Sequence, residues 1–403
     1  MARQTIAIAV VGAGATGIAA AIAFARDGFR TVLVGRPETR ADGRTVALMN
    51  GSVVFLEALG LWPAIGPHAA ALKTLRIIDD TASLFRPPPL AFDAAEIGLD
   101  AFGWNLENGR LVAELAEAAR GQPDLTLVET SALRCDPTET GARLHLQDGS
   151  IIETDLVVAA DGRRSGLRDA AGIAARTWAY PQSALTTILA HDRDHRETST
   201  EFHTRQGPFT LVPLPDRRSS LVWVTSPQDA QRLADLDDDA LALAIERQAK
   251  SLLGRMRVAG PRGVVPMSGL SVARFRAPRL ALIGEAAHVF PPIGAQGLNL
   301  GFRDAAALRD VVVDARRQGR AVGSEDALAI YQRGRDFDVR LRTAAVDGLN
   351  RTLLADLLPA DFLRGAGLLA LGLVGPLRRG LMREGVLPRI GAPRLMRRPA
   401  MLS

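Results

Sequence analysis

Three short glycine-bearing motifs, in fixed order and spread over most of the chain, constrain the fold more than any other feature. The first is Gly12-x-Gly14-x-x-Gly17 and the second is Asp161-Gly162-x-x-Ser165-x-x-Arg168. The third is the run Gly284-Glu285-Ala286-Ala287-His288-Val289-Phe290-Pro291-Pro292-Ile293-Gly294-Ala295-Gln296-Gly297-Leu298-Asn299. Glycine permits backbone conformations and close approaches that a Cβ forbids, so such loops suit a chain wrapped around a bound group.

The first motif has a readable context. Thr5 to Val11 is an apolar run, Ile18 to Arg26 has the alanine-rich pattern of a helix, and Thr31 to Val34 is a second apolar run. Strand, glycine turn, helix and strand within about 30 residues make a βαβ unit. Gly12 is expected to make the tight turn, Gly14 to admit a pyrophosphate and Gly17 to let helix and strand pack. The N–H groups of Ala15, Thr16 and Gly17 would open the helix toward the phosphates. The acid that would hold a ribose at the end of the second strand is missing; Gly35-Arg36 stands there, leaving that contact to backbone or to Arg36. With the two later motifs, this suggests a fold wrapped around one large dinucleotide, FAD.

Further along, Asn105 to Arg120 has the pattern of an amphipathic helix. Leu125 to Val128 and Ala142 to Gln147 read as strands, with a turn at Asp148-Gly149, and Asp155 to Ala160 is a buried strand that delivers Asp161-Gly162. From Ser183 to Val272 the texture changes to alternating β-like segments, with an acidic helix between Asp235 and Leu253. Leu280 to Ile283 returns to a buried strand, and Leu298 to Asp314 is a helix. The expected class is α/β: a Rossmann-like FAD-binding domain of the glutathione-reductase βαβ type, an inserted mixed β-sheet substrate domain and a helical C-terminal region. The FAD-binding domain is placed at 1–72, 106–180 and 271–345, the substrate domain at 73–105 and 181–270, and the C-terminal region at 346–403.

Composition excludes several alternatives. Apolar residues make up 47% and charged residues 23% of the 403, so the chain is globular, not disordered. A single cysteine, Cys135, allows no disulfide framework or cysteine-based zinc site, and no metal is expected. Net charge is only +5 and no aromatic-studded basic stripe occurs, so nucleic acid is not an expected partner. Ile6 to Ala25 is apolar but holds the glycine motif and no basic lead region, which argues against a signal peptide. No apolar run reaches the ~18–20 residues of a membrane span.

In the third motif, a carboxylate at Glu285, at the end of a buried strand, can accept hydrogen bonds from ribityl hydroxyls. Pro291-Pro292 forces an extended backbone, and Gly294 and Gly297 admit a flat ring. The helix that follows points its N–H groups at whatever lies before it, which suits the negative pyrimidine edge of a reduced flavin.

The three motifs in this order resemble the single-component FAD-dependent aromatic monooxygenases with the p-hydroxybenzoate hydroxylase fold, across roughly Ile6 to Asp304. The second motif matches that family's fingerprint for FAD and the NAD(P)H path at Asp161, Gly162, Ser165 and Arg168. The third has Gly284-Glu285 where the family usually has Gly-Asp. Asp42-x-Arg44-x-x-Ala47-Leu48, Gly207-Pro208-Phe209, Val222-Trp223, Ala287-His288 and Asp347-Gly348-Leu349-Asn350-Arg351 narrow the resemblance to the ubiquinone-biosynthesis hydroxylases.

That resemblance implies non-covalent FAD, NADH or NADPH as reductant, a flavin hydroperoxide as oxidant and a polyprenylated phenol as substrate. Cofactor contacts are then also expected from Arg44, Thr45, Asn108, Arg110, Glu285, Ala295, Gln296, Leu298 and Asn299, with Arg44 touching flavin or gating substrate entry. His288, Pro291 and Pro292 are the candidates nearest the chemistry. The alternatives are a related monooxygenase on another aromatic, a prenyl reductase of the same fold, or a binding module that has lost its redox role, to which Gly35 and Glu285 would point. The expected location is cytoplasmic. Leu353 to Leu377, and seven arginines against Glu384 between Pro376 and Arg398, suggest peripheral contact with the inner face of the membrane. Assembly with other ubiquinone-synthesis enzymes and a homo-oligomer are further expectations of the family.

Overall fold

The computed structural model describes residues 6–40, 42–81, 88–290, 296–336, 338–339, 375–386 and 391–398. Its first sheet is built on five parallel strands in the order Leu280–Leu282, Ile151–Ala159, Ile6–Val11, Thr31–Val34 and Leu125–Val128. These strands are nearly continuous apolar runs because they lie inside the fold; Ile8, Ala9 and Val10 are fully buried. The hairpin Ala132–Pro137 and Ala142–Leu146 extends the start of Ile151–Ala159 in antiparallel sense. The helix Ala15–Arg26 is alanine-rich for a packing reason. It lies against both Asn108–Arg120 and the long helix Gln296–Arg317, and ten of its residues are buried.

The second sheet has nine strands and is mixed. The helices Pro227–Ala234 and Asp238–Gln248 cover one face, where Leu185, Phe202, Phe209, Leu211 and Leu221 meet Leu233, Leu241 and Ile245. The acidic helix expected between Asp235 and Leu253 is the second of these, Asp238–Gln248. Asp237 starts the second by accepting the Ala240 N–H at 2.7 Å, and Asp238 and Asp239 favour its positive end. The opposite face carries Ala184, Val222, Val224 and Met267.

A small third sheet, Thr45–Met49, Gly103–Glu107 and Ala70–Leu72, joins the two units. The expected helix from Asn105 therefore begins later, at Asn108. Asn105 to Glu107 belong to a strand because Trp104 and Leu106 pair with Leu48 and Val46. The side chains of this strand reach the second sheet: Asn105 Nδ2 donates to the Pro213 carbonyl at 2.9 Å, and Arg218 meets Glu107 at 3.0 Å. The mixed α/β architecture with a parallel sheet is the class expected from the sequence.

Candidate active site

The first motif is a steric solution. Gly12 has φ +111°, and a Cβ there would lie 2.1 Å from the Ala160 carbonyl oxygen. A Cβ on Gly17 would lie 1.9 Å from the Gly12 oxygen. Gly14 faces open space and is the N-cap of Ala15–Arg26 with no side-chain cap. The helix thus presents uncapped N–H groups at a spot where nothing fills the volume, which is an anion cradle. Gly35, at φ +142°, packs against Ala13, where a Cβ would come within 2.9 Å of its nitrogen. Arg36 extends into solvent, its side chain 80% exposed and 3.8 Å from Glu129.

The second motif delivers Asp161 to the end of Ile151–Ala159, beside Ala160 and the glycine turn. One carboxylate oxygen accepts the Leu167 N–H at 3.2 Å; the other, Oδ1, is buried without a partner. Burial pushes the Asp161 carboxyl up, outweighing the Ser165 hydroxyl and the Leu167 N–H. Gly162, at φ +81°, also faces open space. Arg168 is buried, and its guanidinium donates to Asp169, to the Arg163 carbonyl and to the Ala286 carbonyl at 3.3 Å. It staples the second motif to the third, with its donors engaged in the fold.

The third motif is a bridge between sheets. It leaves the first at Leu280–Leu282, turns through Gly284–Ala286 and enters the second as His288–Val289, which pairs with Gly263–Val272. The stretch 291–295 that follows, with Pro291, Pro292, Gly294 and Ala295, lies outside the described residues. Glu285 is exposed, with no side-chain hydrogen bond among the described residues. The helix begins at Gln296, two residues before the expected Leu298, and Gly297 faces open space. Gly301 is a close contact the sequence reading missed; a Cβ there would meet Thr16 Oγ1 at 2.5 Å.

Two residues turn inward where contact with the bound groups was expected. His288 is fully buried, its Nε2 2.6 Å from Asp304 Oδ2, so it sits beneath the loop and touches no open surface. Asn299 spends its side chain on docking. Its oxygen accepts the Met49 N–H at 2.8 Å and the Ser52 hydroxyl at 2.6 Å, and its nitrogen donates to Ala47.

Asp304 is the unforeseen centre of this layer. Oδ2 also accepts the Gly284 N–H at 2.9 Å, and Oδ1 accepts Arg335 Nε at 2.6 Å. Arg335 and Arg303 both reach Asp338 at 2.6 Å. Burial alone would raise the Asp304 carboxyl, but Arg335, His288 and the Gly284 N–H outweigh it and hold it below the usual range. The only sequence signal was Arg303-Asp304 within an otherwise apolar helical face.

The remaining candidates line the junction. Arg44 is more than half exposed and pairs with Asp42 at 2.5 Å. Thr45 Oγ1 donates to Ser220 at 2.8 Å, the Asn108 N–H donates to Arg44 O at 3.0 Å, and Arg110 holds Glu114 and His68.

These residues fit a flavin dinucleotide. Three glycines leave open volume, one helix N-terminus is uncapped, and the buried Asp161 Oδ1 lacks a donor that a hydroxyl would supply. The family model for an FAD binding domain matches residues 5–336. A ubiquinone hydroxylase of Rhodospirillum rubrum is 34% identical over 97% of this chain and 92% of its own. The 3-demethoxyubiquinol 3-hydroxylase of Escherichia coli is 32% identical over 95% and 99%. The crystal structure of p-nitrophenol 4-monooxygenase from Pseudomonas putida superposes with a TM-score of 0.78 over 94% of this chain and 97% of that one; at 19% identity it shows the shared fold. The chain belongs to the FAD binding domain family and is an FAD-dependent monooxygenase.

Proposed function

We propose that this protein hydroxylates a polyprenylated phenol in ubiquinone biosynthesis, with NADH or NADPH as reductant. The observation that carries the reading is near full-length similarity to two hydroxylases whose names specify ubiquinone or its demethoxy precursor. FAD, when bound, supplies transfer of one oxygen atom from O2 to an electron-rich ring. The chain's own part is to bind, orient and exclude water.

The residues divide those tasks. The N–H groups over Gly14 hold the pyrophosphate, and Asp161 Oδ1 accepts a cofactor hydroxyl. Glu285 takes a ribityl hydroxyl, and the N-terminus of Gln296–Arg317 faces the pyrimidine edge. His288 acts as a positioning residue: through Asp304 it fixes the Gly284 N–H and hence the turn that carries Glu285. The units at 1–72, 106–180 and 271–345 form the cofactor domain, and those at 73–105 and 181–270 present the substrate face.

The C-terminal helix Gly375–Val386 supports peripheral membrane contact. Met382 packs against the Leu90 and Phe92 strand, Arg378 is held by Glu96 and the Ala91 carbonyl, and Arg379 and Arg383 remain exposed. No described helix is long and apolar enough to cross a membrane.

The test is incubation of the FAD-loaded protein with NAD(P)H, 18O2 and lipid extract from a hydroxylase-deficient host. The expected product is a prenylated phenol carrying one 18O atom. Labelling of a non-prenylated aromatic alone would overturn the substrate assignment.

A further inference from the structure

Glu201 and His203 stand two residues apart on the strand Thr198–Thr204. Phe202 between them enters the helix-covered core at 1% exposure, so both neighbours project from the opposite, junction-side face. There His203 Nε2 lies 2.7 Å from Glu201 Oε1, and the Thr210 hydroxyl donates to Glu201 Oε2 at 3.3 Å. His203 is 7% exposed, and its Nδ1 is buried with no partner. Nε2 faces a carboxylate and therefore carries a hydrogen. A pair serving packing alone would engage both nitrogens, because an unmatched buried polar atom is costly.

Position distinguishes this pair from other buried polar groups. Glu201 lies opposite Thr210, Thr210 opposite Val222, and Ser220, one step along from Val222, bonds Thr45 of the cofactor-side sheet. Strand spacings put Glu201 about 12 Å from that junction. The same face is otherwise apolar nearby, with Val212, Val222 and Ile77. Among the described residues, the paired strand Thr74–Asp79 carries Arg76, which lies opposite Thr200 and so on the side of Phe202, and Asp79, which lies opposite His203 and accepts the Thr81 N–H and hydroxyl; in the adjoining turn Arg205 Nε donates to the Thr81 carbonyl.

We propose that Glu201 is a catalytic base for the phenolic hydroxyl of the substrate and that His203 and Thr210 are positioning residues for its carboxylate. This rests on the hydroxylase reading. The phenol O–H bond breaks and its proton goes to Glu201. The electron pair stays on oxygen and delocalises to the ortho and para carbons, which makes the ring a better nucleophile toward the transferred oxygen. The hydrogen on the attacked ring carbon then leaves as a proton to solvent, the product oxygen takes back the proton held by Glu201, and Glu201 returns to the carboxylate. The step borrows one proton and needs no other reagent.

The experiment uses the FAD-loaded full chain and a short 2-prenylphenol as probe, read by ultraviolet difference spectra and by steady-state kinetics across pH. A free phenol ionises near pH 10. The wild type should bind the probe as un-ionised phenol and hydroxylate it at neutral pH, because a carboxylic acid is about six pK units more acidic than a phenol and its carboxylate takes the proton only as the ring reacts. Glu201→Gln should bind the same neutral phenol with KM little changed and kcat down ~10²-fold or more, recovering as pH approaches the phenol's own ionisation. Glu201→Asp should restore part of kcat, and His203→Asn should lower kcat with KM little changed. Flavin content and thermal midpoint report folding in each variant.

A wild type that hydroxylates the probe beside a Glu201→Gln variant with the same kcat and pH profile overturns the base alone. A wild type that gives no hydroxylated probe overturns the hydroxylase reading, and the base with it.

Discussion

Asp161, half-buried just after the strand Ile151–Ala159, and Asp304, fully buried on the helix Gln296–Arg317 against the turn after Leu280–Leu282, are carboxylates treated in opposite ways. Asp304 has both oxygens engaged by His288, Gly284 and Arg335, and its carboxyl titrates low. Asp161 has one oxygen engaged and one orphaned, and its carboxyl titrates high. A protein leaves a buried carboxylate half paired only where something else completes it. On the proposed function the completed one serves the scaffold and the incomplete one the cofactor, and four substitutions probe that division.

The largest effect is expected at Asp304. Asp304→Asn removes the charge that faces the buried Arg335 guanidinium, a loss of roughly 3–5 kcal/mol by the usual cost of breaking a buried pair. The apo-protein should lose that stability in denaturant unfolding. Because the Asp304 carboxyl titrates lower in the fold than in the unfolded chain, its stabilisation is complete above about pH 4 and lost as pH falls through the folded value. The variant should therefore show a flatter acid limb. An apo-protein as stable as wild type, with only FAD affinity lost, would move Asp304 to the cofactor side of the comparison.

The glycine turn gives a second, smaller separation. Gly17→Ala forces a Cβ against the Gly12 carbonyl and should cost roughly 3 kcal/mol of fold stability, the upper range for overpacking. Gly14→Ala meets no atom of the chain, so its apo-stability should change by less than about 1 kcal/mol while the new methyl intrudes on the pyrophosphate space. Thermal melts with and without FAD distinguish the two. Equal losses in both apo-proteins would contradict the empty cradle over Gly14.

How much of this was legible in the sequence follows from how local each cause is. The turn Gly12 to Gly17 was readable because strand, glycine turn, helix and strand follow one another locally, although the atom that bars a Cβ on Gly12 is the distant Ala160 carbonyl oxygen. The strand Gly103–Glu107 was not, since it runs directly into an amphipathic helix and only its pairing with Thr45–Met49 decides its state. Arg303, Asp304, Arg335 and Asp338 looked like ordinary surface charges, because their burial depends on partners up to 35 positions away. His288 drew attention as chemistry because it sits in a motif, yet the motif's turn sends it inward. The strand around Phe202 was not singled out, and which of its sides faces the junction depends on two helices that follow later in the chain.

The smallest and most diagnostic effect is at Asp161. At neutral pH its ionised carboxylate is held in a buried site that disfavours charge, so the apo-fold carries a cost. Its folded carboxyl titrates above the unfolded value of about 4, so that cost is absent below pH 4 and grows as pH rises through the folded value. Asp161→Asn removes the charge with little change of shape. The apo-variant should be slightly more stable than wild type at pH 7 and indistinguishable below pH 4. It should also bind FAD more weakly by about 2 kcal/mol, near 30-fold, because a hydrogen bond to a charged acceptor becomes one to a neutral amide. Opposite signs for apo-stability and FAD affinity are what an unfinished carboxylate predicts. If both fell together, Asp161 would be a scaffold group like Asp304, and the orphaned oxygen would have no bearing on the cofactor.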